Sequence, residues 1–435
     1  MLDTPFYREY IERGPVFKVS RAVLGRLGVP RVGQVPHSCV AGKPGTPPAV
    51  AEESFGGVIM EGPRGLEPRE FKSLCTLVNT VFRGDGVGRM EEQYPLLFAP
   101  ENYDHLLVMV DDGAVVSHVG ALTRDISVLG CRMSTMSIGA VATYESHRGR
   151  GLATQLMEAA VRKAVEQDAV LMPISGGRGL YTRLGAKRIG QYALYTVPRD
   201  LLAPGEADIR RVEAEDLHEL TRLYAEEPSR YVRSTADLRM AVDAAWICDR
   251  DGETVVISED GRPVAYAGIQ KRRPDREDEA RRARLAEIAG SRSALLRALP
   301  CLYDRYGVDY LEIVTTASDI ELASLLRPHG VTAAPQGFTG TVLVLQPERL
   351  LQVFEDYITD VLGLGVLTWE VSADSVVFRC GGKDHAVATS DLGALVFGVV
   401  PPDEDPIDTF PTGLLRTALE SVFPVQLPWY GFNFV

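Results

Sequence analysis

The stretch from Met136 to Gly190, MSIGAVATYESHRGRGLATQLMEAAVRKAVEQDAVLMPISGGRGLYTRLGAKRIG, most constrains what this chain can fold into. An apolar, β-prone run, Ile138 to Thr143, leads through a short polar turn into Arg148-Gly149-Arg150-Gly151-Leu152-Ala153, and a helix is predicted to follow. Leu152, Leu156, Ala160 and Ala164 recur every four residues, with Val161 and Val165 beside them, so one face of that helix is apolar. A second apolar strand, Ala169 to Ile174, ends at Ser175-Gly176-Gly177, just before a short helix carrying Tyr181. Strand, glycine turn and helix in that order make an anion site. The first amides of the helix have no internal partner, and the helix dipole favours negative charge there. Gly149 and Gly151 let a bulky phosphate approach amides that a Cβ would shield.

A length of 435 residues allows about two to four domains. The 45% hydrophobic and 24% charged fractions are those of an ordinary globular chain. No apolar run reaches the roughly 18 residues that span a bilayer. The first residues, MLDTPFYREYIERGPVFK, lack the continuous apolar core of a secretory signal. Six cysteines (Cys39, Cys75, Cys131, Cys248, Cys301, Cys380) stand far apart with no CxxC, and neither His37 nor His385 completes a zinc spacing. That predicts reduced thiols in a cytoplasmic protein and no metal. A formal charge of −13 disfavours nucleic acid and suits a cationic partner such as an amine.

Taken in order, residues 1–54 read as a short helix and a Pro/Gly-rich linker. Residues 55–203 read as a first mixed α/β unit. It comprises a strand at Gly57–Glu61, a helix over Pro68–Phe82 and two strands, His105–Val110 and Ala114–Ala121, about the turn Asp111-Asp112-Gly113. The strand-like Ile126–Cys131, the strand–turn–helix stretch and a closing strand, Gln191–Val197, complete it. Past Pro204-Gly205 the same order starts again over 204–347, an internal repeat without sequence identity. There Ala289-Gly290-Ser291-Arg292-Ser293 stands at the glycine turn, so the repeat is expected to keep the fold without the phosphate cradle. The segment 348–435 is acidic and α+β, with strands at Val366–Val371, Ser375–Arg379 and Ala386–Thr389 and a helix over Asp391–Phe397. Its tail, LPWYGFNFV, is apolar to the last residue, which predicts a docked rather than a solvated end.

The pattern [Gln/Arg]-x-x-Gly-x-[Gly/Ala] occurs twice. Arg83-Gly84-Asp85-Gly86-Val87-Gly88 follows a helix and precedes Glu91-Glu92, so it reads as a loop; the match at Arg148 lies between a strand and an amphipathic helix, where an anion site needs it. About thirty residues on, Tyr181 sits in Gly-Leu-Tyr-Thr-Arg-Leu-Gly, and a phenol there can donate a proton to a thiolate leaving group. By itself, a Tyr on a short helix is more often a packed aromatic with a wet hydroxyl.

This combination closely resembles the GNAT superfamily of acetyl-CoA-dependent N-acetyltransferases. The resemblance implies that Val141, Ala142 and Thr143 offer backbone groups to pantetheine. It further implies that the turn Arg148, Gly149, Arg150, Gly151, Leu152, Ala153 and Thr154 holds the pyrophosphate, and that Tyr181 is the general acid. A first GNAT domain, a second one without the motif, and a C-terminal segment similar to the sterol-carrier-protein fold together resemble the Eis (enhanced intracellular survival) type. The local pattern behind the third is Asp391-Leu392-Gly393-Ala394-Leu395 with Phe423-Pro424 near the end. The resemblance implies an α/β fold with two tandem GNAT-like domains and acetylation of amines such as aminoglycosides, polyamines or peptide lysines. It also implies a homo-oligomer, a hexamer in that family, and the terminal carboxylate of Val435 as catalytic base.

An amine acceptor must lose its proton before it attacks, so a carboxylate, or water relayed to one, is needed. His118 is a further candidate base or a core histidine, and Glu145 is expected to face solvent. A GNAT-derived sensor of acyl-CoA, a carrier of an apolar ligand, and transfer of a longer acyl group are the alternatives to acetyl transfer.

Overall fold

The computed structural model describes residues 60–84, 88–202, 205–271, 280–400, 403 and 405–435. The expected helix and linker within 1–54 and the centre of the Arg83 pattern lie outside these residues.

The first sheet has the order β1 (Glu61–Gly65), β2 (Leu106–Asp111), β3 (Ala114–Val128), β4 (Cys131–Thr143), β5 (Leu171–Ile174) and then β15 (Thr341–Val344). Asp112 and Gly113, then Leu129 and Gly130, carry positive φ at the two hairpin turns, which matches the twist that two-residue turns need. Ala114–Ala121 and Ile126–Cys131, separate in the sequence reading, form one long strand and its turn. Helix α1 (Phe71–Phe82) covers one face through Leu74, Leu77 and Val78, and α2 (Leu152–Glu166) covers the other through Leu156, Ala160 and Ala164. The four-residue apolar spacing of α2 thus faces the sheet as predicted. A short helix, α3 (Gly179–Arg183), follows β5.

The second sheet runs β14 (Ala334–Gly337), β6 (Gln191–Pro198), β13 (Tyr310–Thr315), β12 (Arg282–Gly290), β11 (Arg262–Lys271), β10 (Arg250–Glu259) and β7 (Asp208–Arg211). Its helices are α4 (Leu217–Ala225), α5 (Thr235–Asp243) and α6 (Arg292–Tyr306). The internal repeat is therefore real at the level of strand order. One expectation is corrected: Gln191–Val197 does not close the first sheet. β6 pairs antiparallel with β13, Ile313 opposite Tyr195, while β15 pairs antiparallel with β5, Leu343 opposite Met172. The two repeats exchange their sixth strands. Either arrangement satisfies the same backbone ladder and buries the same alternating apolar residues, so periodicity does not distinguish them.

The third part packs α7 (Pro347–Val353), α8 (Glu355–Leu362), α9 (Leu392–Phe397) and α10 (Leu414–Val422) on a three-stranded antiparallel sheet. That sheet consists of Thr368–Val371, Ser375–Cys380 and Lys383–Ala388, close to the predicted strands. Among the described residues no helix is long and apolar enough to cross a membrane.

Candidate active site

The site begins where β4 leaves β5. These parallel neighbours pair only at Thr135–Leu171 and Ile138–Ile174, and Ser175 N–H then donates to the Ile138 carbonyl. Beyond that point β4 continues to Thr143 alongside β3 alone. The separation coincides with a bulge. Gly120 faces Gly139 and His118 faces Ala142, so the register shifts between them, and Ala140 takes φ +51. Bulges bend a strand and end its pairing on one side. Among the described residues, Val141 to Thr143 therefore have no sheet partner on the side of β5.

His118 helps to fix that bulge. Its ring is fully buried beside Phe98, and Nδ1 lies 2.9 Å from the Ala140 carbonyl. Burial pushes its pKa down to about 4, with the Ala140 hydrogen bond pulling weakly the other way. A ring that is neutral, enclosed and committed to the backbone is a core histidine and not the general base.

At the turn, Gly149 and Gly151 both lie at positive φ, +78 and +76, where a Cβ is strained. Gln155 N–H donates to the Gly151 carbonyl and opens the helical ladder; the earlier amides of α2 are the free ones that any helix start leaves. Arg148 to Gly151 are exposed, and a Cβ built on Gly149 meets nothing within 4 Å, so the concave side is open. The loop is tied from below by Asp111, whose Oδ2 lies 3.0 Å from His147 Nε2 and 3.8 Å from Arg150. Sequence reading took Asp111 only as a turn residue and missed this role. Glu145 is exposed, as expected.

Tyr181 comes from α3, on the far side of the gap. It is only 4% exposed, and its ring packs on Gly176, where a Cβ would approach Cε2 to 3.0 Å. Burial raises the phenol pKa above its ordinary value, and the Arg178 charge offsets this only in part. The hydroxyl therefore holds its proton at neutral pH, the state a general acid requires. A cavity of about 740 Å³ opens beside the turn at Thr154, passes Glu158 and Leu180, and is closed by Asp374 and Thr389 of the third part.

On the opposite face of β4, the side covered by α1, lies the end of the tail. Val435 is buried, and a Cβ on Gly139 would stand 2.1 Å from its carbonyl carbon. Only glycine permits this approach. A small space of about 20 Å³, lined among others by Tyr94, Trp246, Phe434 and Val435, adjoins it, room for roughly one water. A lone glycine inside the apolar run Met136–Val141 is a sequence signal for close backbone approach, and it could have marked Gly139 in advance. The Arg83 guanidinium is engaged elsewhere: it donates to Gln93 and lies 5.4 Å over the Trp246 ring.

Residues 63–189 match the family described as Acetyltransferase (GNAT) domain, and the chain is thereby an N-acetyltransferase by class. Comparison with curated proteins found no significant match. Among solved structures, the chain is similar to a GCN5-related N-acetyltransferase from Anabaena variabilis (TM-score 0.58, 16% identity, 84% of this chain and 97% of that one). It is also similar to Eis1 from Mycobacterium abscessus (TM-score 0.56, 14% identity, 86% and 99%). A probable N-acyltransferase from Enterococcus faecalis has TM-score 0.55 and 16% identity over 76% and 85% of the two chains. At these identities the likeness concerns the fold.

Proposed function

We propose that the protein transfers acetyl from acetyl-CoA directly to an amine of a small molecule or peptide, of the aminoglycoside, polyamine or lysine type. The observation that carries this reading is the convergence at one break in one sheet. The strand edge Val141 to Thr143 runs on past the end of β5 into the open turn at Arg148 to Thr154, and the protonated, buried phenol of Tyr181 packs on Gly176 just after β5. The turn and helix amides take the pyrophosphate, the strand edge takes pantetheine, and the cavity beside Thr154 has room for the nucleotide.

The terminal carboxylate of Val435 takes a proton from the ammonium, directly or through one water. The freed nitrogen attacks the thioester carbonyl carbon, the C–N bond forms and the C–S bond breaks. Tyr181 gives its proton to the departing thiolate, and the second nitrogen proton restores the phenol through solvent. Division at about residues 203 and 347 rests on the boundary signals in the sequence, and a cytoplasmic location on its scattered cysteines; a homo-oligomer with a hexamer as the family form and a sterol-carrier-like third part rest on the sequence resemblance.

Turnover of acetyl-CoA with polyamines, aminoglycosides and lysine peptides, read as free thiol, tests the reaction. CoA binding without thiol release for every amine overturns it in favour of an acyl-CoA sensor. Tyr181→Phe is expected to lower kcat by about 100-fold with acetyl-CoA binding retained. Unchanged turnover across pH in that variant removes the acid role.

A further inference from the structure

The last residues of the chain run from the second repeat to the first, and the second repeat grips them at one main-chain amide. Phe432 N–H donates to Glu287 Oε2 at 3.2 Å, and Cys248 N–H donates to the Gly431 carbonyl at 3.3 Å. Glu287 stands on β12 directly opposite Gly268. A Cβ on Gly268 would approach the Phe432 ring to 3.0 Å, and one on Gly431 would lie 2.1 Å from Glu287 Oε2. Carboxylate and tail touch because no side chain intervenes.

Glu287 is itself held from three sides. Arg233 Nη1 donates to Oε2 at 3.0 Å, Arg233 Nη2 donates to Oε1, and the Tyr266 hydroxyl donates to Oε1 at 2.6 Å. Arg233 lies 3.6 Å over the Tyr224 ring, and both members of the ion pair are buried. A buried ion pair is rarely more stable than apolar packing of the same shape, so stability alone gives no reason for it. It does supply a fixed, directional acceptor for one amide. The aromatic contacts of the tail, Trp429 on Tyr192 and Tyr430 on Phe338, add apolar area without fixing register along the chain. Three residues past the gripped amide, Val435 lies on Gly139.

We infer that Glu287, set by Arg233 and Tyr266, is a positioning residue for catalysis: the repeat without an open anion turn serves to register the tail, so that Val435 sits over the bulge of β4 in the other repeat. The inference rests on the reading of Val435 as base. It gives the second repeat a part in the reaction without a cofactor of its own.

Three forms of the full-length protein test it: Gly431→Ala, Glu287→Asp, and a chain with one alanine appended after Val435. Gly431→Ala keeps both charges and pushes the carboxylate from the tail; Glu287→Asp keeps the charge and withdraws the acceptor. Both are expected to lower kcat by about 10- to 100-fold, as a 1 Å misplacement does. Acetyl-CoA affinity is expected to stay within about 2-fold, because the anion turn lies in the other repeat. The acid limb of the kcat–pH profile, which a merely structural change leaves in place, is expected to flatten. Should the appended chain lose activity while both clamp variants keep full kcat and the acid limb, the positioning role is overturned and the base reading stands. Should the appended chain keep full kcat, the base reading falls and the clamp loses its catalytic purpose with it. Melting temperatures identify a clamp variant that fails to fold; Gly431→Ala, confined to the tail, then decides.

Discussion

In the first repeat β4 ends at Thr143 and α2 begins at Leu152, so residues 144–151 form a loop between strand and helix. In the second, β12 ends at Gly290 and α6 begins at Arg292, with Ser291 alone between them. Both junctions present helix-start amides, which must meet a negative partner or water. The long loop leaves them open. In the short one Ser291 Oγ caps the Ala294 amide at 3.2 Å, and beside it Glu227 accepts from Gly290 N–H at 3.2 Å and from Arg292 at 2.9 and 2.6 Å, while Arg292 also donates to Asp319. The protein's own hydroxyl and carboxylate take up this junction, whereas the first repeat's turn faces open space at Gly149. The hairpins diverge in the same way. Gly139 faces Gly120 in one and Glu287 faces Gly268 in the other, so one site makes space for the tail and the other binds it. One fold thus yields a site by leaving anion partners out and a support by building them in.

The largest expected effect follows from the filled junction. Glu227→Gln leaves Arg292 buried with Asp319 as its only close anion among the described residues, and losing one partner of a buried pair costs about 4 kcal/mol. Urea unfolding of the variant should show a loss of that order, while acetyl-CoA binding stays at one per chain with the wild-type affinity. A second binding event in wild type, or a changed affinity in the variant, breaks the contrast between the junctions.

A somewhat smaller effect tests the open hairpin. His118 and Tyr266 each lie two residues before the glycine of their strand; one holds the Ala140 carbonyl, the other Glu287. Burial lowers His118 from its ordinary 6.5 to about 4. Between those values the unfolded chain binds a proton that the folded one refuses. Its contribution is therefore complete above about pH 6.5 and is lost as pH falls through about 4, worth roughly 3 kcal/mol. His118→Asn removes the titration and keeps a donor for Ala140. Unfolding free energies at pH 7 and 4.5 should differ less in the variant than in wild type. Equal pH dependence in the two means that the ring is not held neutral in the core.

Much of this was legible before any coordinates. The spacing of Leu152, Leu156, Ala160 and Ala164, the glycines of the turn and the hairpin at Asp111-Asp112-Gly113 all report local geometry, and local geometry is what periodicity and turn chemistry encode. Strand exchange was not legible, because Gln191–Val197 and Thr341–Val344 satisfy either sheet equally well. Nor was the clamp. Arg233, Glu287 and Phe432 are far apart in sequence, and nothing local distinguishes a buried Glu from an exposed one. The apolar tail did announce that it docks, but the glycine that receives it carries no side chain to advertise the contact.

The smallest effect separates the two junctions most cleanly, because it uses the same substitution in both. Gly151 lies at φ +76, and a Cβ there would meet only the Gln155 side chain, at 3.9 Å. Alanine at that position therefore costs backbone strain alone, about 1 kcal/mol of stability. Its methyl group stands on the open side of the turn, so the affinity for acetyl-CoA should also fall. Gly290 lies at φ +89, but a Cβ there would stand 2.3 Å from the Val264 carbonyl, a backbone atom that cannot swing aside. Gly290→Ala should lose more stability than Gly151→Ala and leave acetyl-CoA affinity untouched. Thermal melts paired with calorimetric titration of acetyl-CoA give both readings on each variant. If Gly290→Ala weakens acetyl-CoA, the filled junction is no mere support. If Gly151→Ala does not, the open turn is not where the anion sits.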